Sequence, residues 1–183
     1  AGATMTGTSN TVLIGNSAGT AINHSDANGT VAIGYQAGTA ITSGQRSALV
    51  GYQAGDSITT GDRNTAIGYQ ALMTATTAGY NTAVGHGALR DLTAGVHDGN
   101  TAIGYDAGHD TTTGTVSTFV GYKAGENVTS ATNNIAIGAS AFNGTGTGIS
   151  DCIAIGYLAM ASNQGDHRTG SGNIAIGRTA MYG

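Results

Sequence analysis

The stretch NTAIGYQALMTATTAGYNTAVGHGAL, residues 64–89, states one phrase twice: NTAIGYQAL returns as NTAVGHGAL seventeen residues later. The same phrase runs through the whole chain. With the glycine of each Ile-Gly or Val-Gly pair as origin, ten copies stand at Gly15, Gly34, Gly51, Gly68, Gly85, Gly104, Gly121, Gly138, Gly156 and Gly177. Their spacings are 19, 17, 17, 17, 19, 17, 17, 18 and 21, a period of 17 with small insertions. Self-similarity at such a period is the mark of a stacked repeat architecture.

The columns of the repeat are as informative as its period. Immediately before the glycine stands Ile or Val in every copy, among them Ile33, Val50, Ile67, Val84 and Ile103. Three residues after it stands Ala in every copy, among them Ala37, Ala54, Ala71, Ala88 and Ala107. These are the positions on which the repeat is built. Two before the glycine the residue is Ala, except at Leu13, Leu49 and Phe119. One after it is Tyr in six copies, and four before it is Asn in five.

A unit of 17 residues is short for a helix pair, and glycine within each unit disfavours helix by about 1 kcal/mol per residue. The β-branched and Tyr residues suit strands. Each unit therefore reads as a five-residue strand around TAIGY, a turn, a second short extended stretch and a glycine-containing return. The fold class is all-β: a β-solenoid of about ten 17-residue coils, with residues 1–9 as a lead-in and residues 10–183 as one repeat domain. At about 4.8 Å per coil the stack spans roughly 48 Å.

Alternation along NTAIGY sets Thr, Ile and Tyr on one side and Asn, Ala and Gly on the other. Neither side is strongly polar, so one face lines the coil and the other meets something else. The conserved small Ala leaves a thin interior. After that Ala comes either Gly or a large apolar residue, and the residue three further on tends to change size the opposite way, as in Gly38 with Ile41 and Leu72 with Ala75. Close packing demands such compensation. A scaffold this thin needs a staple or self-association. With one cysteine, Cys152, no internal disulfide is possible, so the second strand face is expected to pack against copies of the same chain.

Composition narrows the function. Only 9% of residues are charged and the net charge is −4, with no basic stripe for nucleic acid. No apolar run is long enough to span a membrane as a helix. Beginning and ending within the pattern, the chain reads as a piece of a longer protein.

The phrases NTAIGYQAL, TVAIGYQAG, NIAIG and CIAIGYLA resemble the head repeats of YadA-like trimeric autotransporter adhesins, which run approximately SVAIGxxAxA. They resemble even more closely the repeats of bacteriophage tail fibres and related prophage proteins. The likeness covers nearly the whole chain, about residues 10–181. Two departures, the 17-residue period and Asn rather than Ser four before the glycine, tilt it toward the phage fibres. The resemblance implies a parallel left-handed β-roll, a homotrimer with three chains side by side, and a role as extracellular shaft or head on a virion or bacterial surface. The partners it implies are copies of the chain and a host-surface glycan or other receptor.

Insertions break the 17-residue rhythm at residues 23–28, 95–100, 144–151 and 162–173, and extra residues in a solenoid become surface loops. The last is the longest and holds Asn163, Gln164, Asp166, His167 and Arg168, whose donors and acceptors suit sugar hydroxyls. These five are the receptor-binding candidates. The histidines His24, His86, His97, His109 and His167 include His-Asp pairs at 97–98 and 109–110, yet match no known metal spacing. They read as turn residues, apart from His86, which takes the Tyr position. No cofactor, metal or catalytic residue is expected, and Cys152 reads as a packed residue. A row of Thr eight after the glycine, Thr42, Thr59, Thr76, Thr93, Thr112 and Thr129, suggests an ice-binding solenoid as an alternative. An adhesin head binding extracellular matrix is another.

Overall fold

A computed structural model describes residues 10–22, 27–93, 95, 98–130, 132–144, 148–162 and 170–183. Each copy of the repeat contributes one three-residue strand: β1 Val12–Ile14, β2 Val31–Ile33, β3 Ala48–Val50, β4 Thr65–Ile67, β5 Thr82–Val84, β6 Thr101–Ile103, β7 Thr118–Val120, β8 Ile135–Ile137, β9 Ile153–Ile155 and β10 Ile174–Ile176. The ten form one sheet in chain order. All pairings are parallel and in register, so that Ile33, Val50, Ile67, Val84 and Ile103 stand one above another. The chain is an all-β solenoid whose strands recur at the period of the repeat.

The strands are shorter than the five residues expected, and no second strand follows in any coil among the described residues. Backbone conformation explains both. Each origin glycine has φ between 127° and 141°, which ends the strand at once. Two residues later the chain is left-handed again, as at Gln36, Gln53, Gln70 and Lys123, and once more two residues after that, as at Gly38, Leu72 and Gly125. Left-handed backbone at non-glycine residues is unfavourable. Here hydrogen bonds between coils hold it: the Gln53 N–H donates to the Tyr35 carbonyl at 2.8 Å, and the Leu72 N–H to the Ala88 carbonyl at 3.1 Å. The ladder between coils thus continues round the turn, although the turn is not a strand.

The origin glycines form a column of backbone on backbone. A Cβ placed on Gly34, Gly51, Gly68, Gly85 or Gly104 would fall closer than 3.0 Å to the carbonyl of the glycine in the next coil. No side chain fits there. At Gly177, the last of the column, nothing lies within 4 Å of that Cβ.

The core is narrow and mostly alanine. Ala37, Ala54, Ala71, Ala88 and Ala107 are all buried, and so are the strand-centre residues from Ala32 to Ala175. Where the position after the conserved Ala is Gly, larger neighbours fill the space. A Cβ on Gly38 would meet Ile41 and Leu49, and one on Gly125 would meet the ring of Phe119. Leu13, Leu49 and Phe119, the three departures from alanine at the strand centre, thus sit beside these glycines.

A buried polar ladder runs up the same interior. Asn81 N–H donates to Asn64 Oδ1 at 3.0 Å, Asn100 N–H to Asn81 Oδ1 at 2.9 Å, and Ser117 N–H to Asn100 Oδ1 at 2.9 Å. Asn134 N–H donates to Ser117 Oγ, and Cys152 N–H to Asn134 Oδ1. Each side chain satisfies the backbone of the coil above. That is the condition for burying a polar group without penalty.

Candidate interaction face

Since the strand-centre Ala and the Asn column face inward, the remaining strand side chains face out. The outer face carries three columns. The first holds Val12, Val31, Ala48, Thr65, Thr82, Thr101, Thr118, Ile135, Ile153 and Ile174. The second is the Ile/Val column, and the third is the Tyr column. Ile33, Val50, Ile67, Val84 and Ile103 therefore lie on the outside of the single coil, with Ile67 41% and Ile103 42% exposed, whereas the paired alanines are fully buried. The two sets of repeat positions serve opposite faces of the wall.

In-register pairing converts the Tyr column into a ladder. Tyr35, Tyr52 and Tyr69 stack with ring centroids 5.0 and 5.2 Å apart, His86 continues the stack at 4.8 Å, and Tyr105 and Tyr122 follow at 4.9 and 5.3 Å. Aromatic pairs of this kind contribute about 0.5–1.5 kcal/mol each beyond area burial. The ladder stiffens the face, and it leaves ring edges toward solvent beside the Ile/Val column. The Ile/Val and Tyr columns together form an exposed apolar strip, which makes this face the candidate interaction surface.

Four of the six threonines in the row eight after the glycine use their hydroxyls within the chain. Thr42 Oγ1 donates to the Thr59 carbonyl, Thr59 Oγ1 to the Thr76 carbonyl, Thr93 Oγ1 to the Thr112 carbonyl and Thr112 Oγ1 to the Thr129 carbonyl, at 3.0–3.3 Å. These hydroxyls tie one coil to the next.

A group of charged residues gathers round His86 and His109. His86 Nδ1 lies 3.6 Å from Asp106 Oδ1. Arg90 donates from Nε to Asp91 Oδ1 at 3.0 Å and from Nη2 to Asp91 Oδ2 at 3.3 Å. The hydrogen bond to Asp91 holds the Arg90 guanidinium above its ordinary pKa. His109 Nδ1 is 2.6 Å from Asp110 Oδ1 and 3.9 Å from Asp91 Oδ2. In the next coil Lys123 donates to Glu126 Oε1 at 2.6 Å, which raises the Lys123 pKa.

Of the residues singled out in the sequence, Asn163, Gln164, Asp166, His167 and Arg168 lie outside the described residues, as do His24 and His97. His86 sits within the Tyr ladder, and His109 is brought not only to Asp110 but to Asp91 of the coil before it. Arg90 and Asp106 belong to no motif of the sequence, and Asp91 stands there only as one of the mixed residues two before the Thr row. Once residues are numbered from their glycine, Arg90 and His109 share one position, and Asp91 and Asp110 the next. Cys152 is buried in the Asn column, its Sγ 3.4 Å from the Ser150 carbonyl.

No family model, curated protein or solved structure matches the chain.

Proposed function

We infer that the chain is a structural and adhesive fibre module in which copies cover one another's outer sheet faces around a common axis. The observation that carries this reading is the outer face itself: ten in-register strands presenting Ile or Val and an aromatic ladder to solvent. Covering the exposed half of an Ile side chain is worth roughly 1 kcal/mol, and the column repeats that gain along the whole stack. The interior has its own large apolar residues, among them Ile41, Leu49, Leu72 and Phe119, all fully buried, so covering the outer face adds to that core.

The resemblance of the repeat to adhesin heads and phage tail fibres supports three as the number of copies and a left-handed coil. It also supports a place outside the cell, on a virion fibre or a bacterial surface. In that setting the repeat is the shaft, and the insertions that interrupt it are its means of contact with a host-surface glycan. The ice-binding alternative draws no support from the Thr row, in which Thr42, Thr59, Thr93 and Thr112 donate their hydroxyl hydrogens to backbone carbonyls.

The reading is tested by Ile67→Asp. In the single coil this position points outward, so a lone chain tolerates the charge. In an assembly the charge is buried at every copy and costs several kcal/mol. The expected result is dissociation of the complex or failure to fold. A variant that keeps both the wild-type mass and the wild-type melting temperature would overturn the proposed interface. A glycan array on the intact assembly, compared with one whose 162–173 insertion is shortened, distinguishes a binder from a spacer.

A further inference from the structure

We propose that Asp91, His109 and Asp110 form a site for a first-row divalent cation of the zinc type, on the flank of the solenoid between two adjacent coils. One ligand atom from each, a carboxylate oxygen of Asp91 and of Asp110 and Nδ1 of His109, lies within 4.8 Å of the others. All three side chains are partly buried, His109 the most, at 17% exposure. The donors converge from two turns of the chain because Asp91 and Asp110 hold the same position in neighbouring coils and His109 stands just before Asp110.

The charge around the site is unbalanced. Like charges at equivalent positions of paired coils repel, and here Asp91 stacks against Asp110 with Asp106 close by. Arg90 is bound to Asp91 through Nε and Nη2 of its guanidinium. The neighbouring Lys123 is engaged with Glu126. With the imidazoles neutral, three carboxylates against one guanidinium leave two negative charges, the amount a divalent cation neutralises. Arg90 need not leave, since a carboxylate oxygen can accept from a guanidinium and ligate a metal at once. It then orients the ligand, as outer partners do in metal sites.

The backbone makes room for the cluster at Gly87. The position two after the origin glycine bears a side chain in every coil except this one. A Cβ on Gly87 would collide with Asp106 Oδ1 and approach the His109 ring to 3.2 Å. The missing side chain is therefore the space into which the Asp106 carboxylate and the imidazole are drawn. An imidazole nitrogen among the donors favours zinc over magnesium or calcium, which take oxygen ligands. Three protein ligands leave a fourth position for water.

The test is zinc titration by calorimetry on the full chain, with cobalt substitution read by its visible d–d bands. His109→Thr is the decisive variant, because Thr20 and Thr39 occupy the equivalent position in other coils and the fold accepts it. Wild type is expected to bind one zinc equivalent per chain more than His109→Thr, and the cobalt bands of that equivalent should vanish in the variant. Asp91→Asn should weaken binding at least tenfold, whereas His86→Tyr, outside the three ligands, should leave it unchanged. Circular dichroism verifies that each variant retains the wild-type fold. Equal zinc uptake by wild type and His109→Thr, or none by either, would overturn the proposal and leave the cluster an Asp–His–Asp hydrogen-bonded group only.

Discussion

The two faces of one three-residue strand differ in how far they are finished. Toward the interior, Ala66 and Ala83 are fully buried, and Asn64 and Asn81 pass hydrogen bonds from coil to coil. Toward solvent, Ile67 and Tyr69 repeat with the same regularity but are still about two-fifths exposed. Periodicity alone therefore says nothing about whether a face is satisfied. A column of small residues closes on itself within one chain, while the column of large apolar residues on the outer wall stays partly open to solvent in the single chain.

The wall that separates the faces is the first place to break this contrast. Gly68→Ala puts a methyl group against the Gly85 carbonyl, where neither backbone can yield, and strains a φ of 136° as well. Overpacking and backbone strain each cost about 1–3 kcal/mol, so the expectation is loss of the folded stack at physiological temperature. Gly177→Ala carries the strain without the collision. Thermal unfolding of the two variants thus measures the steric part alone, and equal melting temperatures would show that the glycine column is not held by contact.

A smaller effect is expected from the inner polar ladder. Asn81→Leu removes the acceptor of the Asn100 N–H, a buried donor. The cost of leaving such a group unsatisfied is about 1–3 kcal/mol. Asn81→Ser should recover part of that loss, because Ser47 and Ser117 accept in the same way from Asn64 and Asn134. Chemical denaturation of the pair decides the point. If Asn81→Leu is as stable as wild type, the ladder is incidental to the inner face.

The smallest expected change is a gain. Thr111 occupies a fully buried position held elsewhere by Ile22, Ile41, Ile58, Leu92 and Val128, and its hydroxyl has no hydrogen-bond partner among the described residues. Thr111→Val keeps the shape and removes the unpaired hydroxyl. It should stabilise the protein by about 1 kcal/mol, which calorimetry would record as a melting temperature a few degrees higher.

Much of this was readable in the sequence, and the remainder was not for definite reasons. The period, the all-β solenoid and the importance of the small Ala column follow from recurrence and volume. Strand length does not, because Gln53, Lys123 and Leu72 adopt left-handed backbone that their side chains do not favour, under the direction of hydrogen bonds from the adjacent coil. Nor could alternation choose which face of TAIGY is inside, since Ala on one side and Thr and Ile on the other are all compatible with burial. The structure places the smaller residues within. Counting from the glycines sets Asp91 level with Asp110, but recurrence does not say that the His109 side chain turns toward Asp91 of the neighbouring coil, which only the folded turn shows. The residues proposed for receptor contact, residues 163–168, lie outside the described part of the chain.

The central claim, that the outer face is covered by copies of the same chain, is tested most directly by the molar mass of the protein in dilute solution, from light scattering or sedimentation equilibrium. A mass near three times the 17.9 kDa of the chain is the predicted result, with an assembly that persists on dilution. A stable, fully folded monomer of 17.9 kDa would contradict the account, because the Ile, Val and Tyr columns would then be at home in water.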